Sequence, residues 1–315
     1  MRTLPAVLAV IGLSALALTG CASGSTAASC PTPSSSGDAA SLIDVSGAAG
    51  SQPAVHIGTP FHTDGVSFQT LESGTGTPIT AENQLVVLGI TVVSGVDGKV
   101  VGRTSYGDLS QVQPVSFWTG LLPGIRDAVQ CATPGSRVAV ALPPSGISSE
   151  TAAGFGLTPK DSAVAVVDVE KVYLTRADGA DQYNAGWGLP VVVRTGTGRP
   201  GVIIPDGSAP SDVVVETLKK GDGAQVSGTD PVRVHSLEVT WNDKQVVNTT
   251  WGGEPQSLDL STVSPALRDA LKGTTVGSQL LVVVPAGADG ASTGDEKQAH
   301  VYVIDILGID APAAG

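Results

Sequence analysis

Apolar residues in this chain gather into short dense runs set apart by polar, glycine-rich stretches. Gln84–Val93 (QLVVLGITVV), Arg137–Leu142 (RVAVAL) and Ala163–Val172 (AVAVVDVEKV) are rich in β-branched residues, and Asp97-Gly98 is a turn signal. They predict strands. Leu121–Val129 (LLPGIRDAV) breaks the pattern. Pro123 suits a first helical turn, and Ile125, Ala128 and Val129 share a face, so the spacing predicts a short helix. Further on, Val232–Trp241, Gln279–Val284 and His300–Ile306 read as strands and Ser264–Leu271 as a helix. Both faces of the strands are largely apolar, which predicts a sheet wrapped on a helix rather than a half-exposed meander.

The order of these elements repeats because the sequence repeats. Residues 126–144 (RDAVQCATPGSRVAVALPP) return as 268–286 (RDALKGTTVGSQLLVVVPA), and TLESGTG at 70–76 returns as TLKKGDG at 217–223. Pro53, Val55 and Ile57 align with Pro200, Val202 and Ile204, and VVDVEKV at 166–172 with VIDILGI at 303–309. The separation between copies shrinks twice along the chain, and one shortening falls between the proline and the last strand. Solenoid repeats run roughly 20–50 residues, so units of this length are two copies of one globular domain in tandem. The expected division is a signal segment at 1–21, a flexible tether at 22–49, a first domain at 50–175, a linker at 176–197 and a second domain at 198–311.

Composition adds the compartment. Arg2 and the apolar run Leu4–Leu18 have the layout of a signal peptide, and the run is shorter than the roughly 20 residues of a membrane span. Leu18-Thr19-Gly20-Cys21 resembles the lipobox of bacterial lipoproteins, which implies lipidation of Cys21; an ordinary secretory signal is the alternative. Either way the mature chain is expected to be extracytoplasmic, and with the lipid it is anchored to the cell membrane. Residues 22–41 are small, polar and rich in Pro and Ser, as a flexible tether is. With Cys21 lipidated, Cys30 and Cys131 remain as an even pair in an oxidising compartment, and a disulfide is expected, free thiols being the alternative. A net charge of −12 argues against a nucleic-acid partner. The four histidines show no ligand spacing, and no CxxC, HExxH, GxSxG or P-loop occurs, so neither metal nor cofactor is expected.

The stretches LLPGIRDAVQCATPGSRVAVALPP at 121–144 and SPALRDALKGTTVGSQLLVVVP at 264–285 resemble the FKBP-type peptidyl-prolyl isomerases. Ala165–Val169 and Tyr302–Leu307 correspond to that family's closing strand, and Gly74 and Gly221 to its early Gly-Asp-Gly turn. The resemblance covers both copies almost entirely and also suggests an actinobacterial variant of the pattern. It implies an α+β fold: two tandem FKBP-like domains, each a twisted antiparallel sheet wrapped on one short helix, with an apolar pocket between sheet and helix. It also implies cis/trans isomerisation at Xaa-Pro bonds. That reaction breaks no bond. Its barrier of about 18–20 kcal/mol is amide resonance, and the enzyme need only hold the proline, strip water and stabilise the twisted amide.

Carried over residue by residue, the resemblance places the first pocket at Val101, Phe117, Leu121, Leu122, Ile125, Phe155 and Val167. The second falls at Val247, Asn248, Trp251, Leu258, Val263, Leu267 and Tyr302. Both depart from the family pattern. Ile125 and Leu267 stand for the aromatic pocket floor, and Val101-Gly102 and Val247-Asn248 for its Phe-Asp pair. Ser236 stands for its first-strand tyrosine, with no clear counterpart in the first copy, and Val167 for the last-strand aromatic kept as Tyr302. Gly154-Phe155-Gly156 stands for its Gly-Tyr-Gly, and GADG at 287–290 is all that the second copy has there. Phe155→Ala is therefore expected to lower activity and spare thermal stability if the ring faces the pocket, and to cost stability if it is core. No catalytic residue is named. The expected function is an isomerase assisting the folding of exported proteins at the cell envelope, a monomer acting on proline-containing polypeptides. The alternatives are a non-catalytic peptide-binding or chaperone lipoprotein on the same scaffold, or a structural envelope lipoprotein with no ligand.

Overall fold

The computed structural model describes residues 30, 37–184, 186–288 and 298–311. The expected signal segment, Cys21 and most of residues 22–36 lie outside these. Described in chain order, the first half carries β1 (Asp44–Ser46), β2 (Ala54–His56), β3 (Ser67–Glu72), β4 (Leu85–Ser94), β5 (Val100–Arg103) and β6 (Gln113–Pro114). Then come α1 (Val115–Leu121), α2 (Arg126–Val129), β7 (Arg137–Leu142), α3 (Ser149–Gly154) and β8 (Ala163–Val172). The second half carries β9 (Ala180–Asp181), β10 (Val191–Arg194), β11 (Pro200–Ile203), β12 (Val214–Lys220), β13 (Val232–Thr240), β14 (Val246–Thr249) and β15 (Gln256–Leu258). It closes with α4 (Pro265–Leu271), β16 (Gln279–Val284) and β17 (His300–Ile309).

Strand order repeats with the sequence. The first antiparallel sheet runs β3-β7-β8-β4-β5, with β6 also paired to β4. The second runs β12-β16-β17-β13-β14, with β15 on β13 and β9 added at the β12 edge. A repeated sequence has to satisfy the same turns and the same alternation, so the same register follows. The Gly74 and Gly221 turns show why those glycines recur. A Cβ on either would lie 1.9 Å from the Pro134 carbonyl oxygen or 2.1 Å from that of Val276. Gly74 N and Gly221 N each donate to a serine hydroxyl, Ser136 and Ser278, at 3.0 Å.

The central strands of each sheet are largely buried on both faces, as their apolar sequences require. In β4, Val86, Leu88, Ile90 and Val92 face a core cluster shared with Val115, Ile125 and Val129, while Val93 joins a second cluster behind the sheet. In β17, Ile304 and Ile306 face α4, and Val301 and Val303 face the opposite side. The helix over the second sheet starts where its sequence says. Ser264 Oγ accepts from Leu267 N at 3.3 Å, and Pro265 occupies the first helical position.

Three features of the division differ from the expectation. Residues 37–49 are not a tether: Ala40 and Ile43 are buried behind the first sheet, and β1 pairs with β2. Their apolar residues are too few to predict a strand, and only the sheet they cover gives them a place. Residues 176–197 do more than link: Ala177 is buried, β9 pairs with β12, and β10 opens a second hairpin. The first sheet is covered not by one helix but by α1, the 3-10 turn Pro123–Ile125 and α2, with α3 following β7. The hairpins β1–β2 and β10–β11 are themselves a repeated pair, since Asp44 pairs with His56 as Val191 pairs with Ile203. Each extends its half of the chain and covers the back of its sheet.

A buried polar bridge fixes each hairpin. Arg137 Nε and Nη2 donate to the two Asp168 oxygens at 2.6 Å each, and Nη2 also reaches Ser51 O at 2.7 Å. Gly50 N donates to Asp168 Oδ2 at 2.8 Å. At the equivalent place in the second half the residue is Gln279, which donates to Asp305 and accepts from Arg194 Nε of the hairpin at 2.7 Å. The arginine has moved from sheet to hairpin, and the bridge is kept. The halves meet through Tyr173, wholly buried, whose hydroxyl donates to Asp310 Oδ1 at 2.6 Å, and through Leu174 N to Leu307 O at 3.0 Å. Cys30 and Cys131 form a disulfide that fastens the N-terminal segment beside α2.

Candidate functional site

The space between sheet and helix differs between the halves. In the first, Val101, Leu122, Ile125, Phe155 and Val167 all belong to or pack on one core cluster, with Ile125 and Val167 fully inaccessible. Phe155 lies across β5: a Cβ on Gly102 would sit 2.4 Å from its ring. The glycine that stands for the expected Phe-Asp pair thus makes room for the chain's own phenyl ring. Trp118, on α1, is 7% exposed in the same cluster. Phe117 and Leu121 point outward instead, 44% and 37% exposed. Their alternation with Trp118 and Leu122 on a short helix puts one pair in and one pair out.

In the second half the corresponding surface is accessible. Leu267, on α4, and Leu258, Val263 and Tyr302 are only partly buried and pack along the edge of the core. Across the strands, Glu238 stands opposite both Asn248 and Tyr302. Glu238 Oε1 accepts from the Tyr302 hydroxyl at 3.1 Å and pairs with His300 Nδ1 at 2.8 Å. The same register in the first half holds Gly102, Val92 and Ala165. A polar row across β14, β13 and β17 therefore replaces a row of small and apolar residues. Asn248 is exposed on β14, as is Val247 at 55%. GADG at 287–290 is described only as far as Ala288.

Register corrects one of the expected equivalences and completes another. Val140 faces Ala165 as Val282 faces Tyr302, so the counterpart of Tyr302 is Ala165 and not Val167. Ile90 faces Val167 as Ser236 faces Ile304, which supplies the counterpart of Ser236 that sequence left open. Trp251 is on the wrong side of the sheet to line the pocket. It packs with Trp241 and Leu237 on the back face and stacks on His235, ring centroids 4.4 Å apart. Alternation along β13 decides this: Val234 faces the helix, so His235 and its aromatic neighbour face away. Sequence reasoning missed Glu238, His300 and Trp118. A lone acid within an apolar strand, RVHSLEVT, was the available signal for the first.

His235 carries a consequence for stability. Burial lowers its pKa from 6.5 to about 4, and Nδ1 is 2.8 Å from Thr250 Oγ1. Between those values the unfolded chain binds a proton that the folded chain refuses, so stability falls as pH falls through that window. Urea unfolding at pH 7 and pH 4.5 is expected to differ by about 2–3 kcal/mol from this residue. Burial raises the Asp305 carboxyl, which acts in the opposite sense. The comparison that isolates the histidine is His235→Gln, whose pH dependence should be flatter by that amount. Equal slopes would exclude the assignment.

No family model matches this chain. It is 23% identical over 114 residues to a protein of Corynebacterium glutamicum described as a probable FK506-binding protein, a match that covers 35% of this chain and 97% of that one. Among solved structures it is similar to the three FKBP domains of wheat FKBP73, at 14% identity and a TM-score of 0.33, over 78% of this chain and 94% of that one. A peptidyl-prolyl cis-trans isomerase from Pseudomonas syringae pv. tomato is similar at 18% identity and a TM-score of 0.28, over 31% of this chain and 76% of that one. The proteins that this chain is similar to are FKBP-type peptidyl-prolyl isomerases and FK506-binding proteins.

Proposed function

We propose that this protein is a peptidyl-prolyl isomerase of the FKBP type whose working pocket is in the second half, the first half serving as a closed scaffold. One contrast carries this reading: the first pocket floor, Ile125, is fully buried beneath the chain's own side chains, whereas Leu267 is accessible. Leu258, Val263 and Leu267 offer an apolar recess for a proline ring. Asn248, exposed on β14, offers an amide at its edge for the substrate carbonyls, beside the Tyr302 ring. Removing water from the preceding carbonyl and bonding the twisted amide lower the rotation barrier, about tenfold in rate for each 1.4 kcal/mol.

In this reading the chain acts on exported polypeptides outside the cytoplasm, held to the membrane by lipid on Cys21. The Cys30–Cys131 disulfide supports an oxidising compartment. No helix among the described residues is long and apolar enough to cross a membrane. The test is isomerisation of a short Xaa-Pro peptide by the full chain. Leu267→Ala is expected to lower kcat/KM about tenfold or more through lost pocket contact, while Ile125→Val leaves it unchanged. Activity that survives Leu267→Ala and falls with Ile125→Val would move the site to the first half. No activity in the folded parent protein would favour the second reading, a binding scaffold, for which the missing aromatic floor at Leu267 is the supporting observation.

A further inference from the structure

The back of the second sheet presents a surface that the first half has closed. In the first half, the 3-10 turn Ala39–Leu42 packs down on β3 and β7, with Ala40 N bonded to Ser67 Oγ at 2.9 Å. The residues at the same distance before the second hairpin, 186–189, are exposed or half-buried. A cavity of about 320 Å³ lies there, bordered by β10, β12 and by Gln182, Asn184, Leu189 and Pro190. Glu216 lines it, half-buried, and its carboxylate has no hydrogen-bond or ion-pair partner among the described residues. Aliphatic walls flank it, Val192, Leu218 and Leu281, and Arg194 also lines it, its Nε turned to Gln279 Oε1 at 2.7 Å. Asp181, at the rim, is already neutralised by Lys219 at 3.1 Å and faces Arg194 at 3.8 Å.

The hairpin beside this cavity is also different. Its outward positions are Val191, Val193 and Ile203, 57%, 50% and 59% exposed. The same positions in the first hairpin hold Asp44, Ser46 and His56, with Val191↔Ile203 registered as Asp44↔His56. Each two-stranded hairpin leaves its outer edges unpaired among the described residues. Polar side chains protect such an edge from pairing with another chain, and the second hairpin lacks them.

We propose that the β10 edge and its cavity bind an extended polypeptide carrying lysine or arginine among apolar residues. A strand laid along β10 projects alternate side chains to opposite sides. One set extends the apolar face at Val191 and Val193. The other enters the cavity, where a long aliphatic stem lies along Leu218 and Leu281 and its cationic tip meets Glu216. The site is on the opposite side of the sheet from the pocket that holds Leu267, so a client could occupy both.

The probe is a fluorescein-labelled, proline-free peptide of alternating valine and lysine, titrated against the full chain and followed by anisotropy. The parent protein is expected to bind it more tightly than the valine–glutamate analogue. Glu216→Gln is expected to weaken the lysine peptide about tenfold, the loss of one partly buried charge partner. Replacing Val191, Val193 and Ile203 together by the aspartate, serine and histidine of the first hairpin is expected to abolish binding while Xaa-Pro isomerisation is kept. Leu267→Ala is expected to retain peptide binding, which separates this site from the isomerase pocket. No binding by the folded parent protein, equal affinity of the parent for the two peptides, or a folded Glu216→Gln variant that keeps the parent's preference for the lysine peptide overturns the proposal. So does a hairpin replacement that abolishes self-association or vesicle binding and leaves peptide affinity unchanged.

Discussion

Arg137→Met is expected to lower the unfolding free energy by about 3–5 kcal/mol, because it leaves the Asp168 carboxylate buried without its partner. Both side chains are 1% exposed, so water cannot take the arginine's place. The loss reaches beyond the pair. Arg137 also donates to the carbonyls of Gly47 and Ser51, the turn that holds the first hairpin against its sheet. Denaturant unfolding checks the magnitude. Replacing both partners, with Asp168→Leu added, is expected to recover part of the loss, since a well-packed apolar pair carries no desolvation cost. The hairpin carbonyls stay without donors in that variant, so recovery should be incomplete. A loss below about 1 kcal/mol for Arg137→Met would place this pair with surface ion pairs and sink the argument.

Phe155→Ala is expected to cost about 2–3 kcal/mol, less than the roughly 3–5 kcal/mol of a fully buried phenylalanine because the ring is only partly buried. Xaa-Pro isomerisation by the full chain should not fall. The ring packs on the core cluster and lies over Gly102, where even a methyl group has no room beside it. Thermal unfolding and the peptide assay, run on the same sample, decide between plug and pocket wall. Unchanged stability with lost activity would return Phe155 to the substrate site and make the first half the working one. Loss of stability alone supports a first pocket filled by its own chain.

The two halves show how much a sequence repeat can tell. Strand positions were legible because their apolar residues had to fill both faces, and β4, β7, β8, β13, β16 and β17 fall within a few residues of the predicted runs. The helix at α4 was legible from Ser264-Pro265, a cap followed by a residue suited to the first turn. Of the residues expected at the second pocket, the sequence foretold only some of the neighbours. Leu258, Val263, Leu267 and Tyr302 pack on one core cluster, but Trp251 was assigned to the wrong face. Its position in the sequence could not reveal which way a bulged strand pair would turn it: the β13–β14 register shifts between Glu238 and Val239. The hairpins were barely visible, as three aligned residues, because their stability comes from the sheet behind them and from Arg137 and Arg194.

By itself the sequence determined that one structural plan occurs twice and which segments are strands. Those properties are local or periodic, so they survive being read one residue at a time. Only the tertiary structure decided that the copies differ in what they leave open. Gly102 admits Phe155 in one half where Asn248 stands in the other, and Tyr302 takes the register position of Ala165. The Ala39–Leu42 turn fills the back of one sheet, and a cavity remains behind the other. Whether a space is filled depends on residues far apart in the chain meeting across a sheet, and that meeting is fixed by register and packing, not by any segment alone.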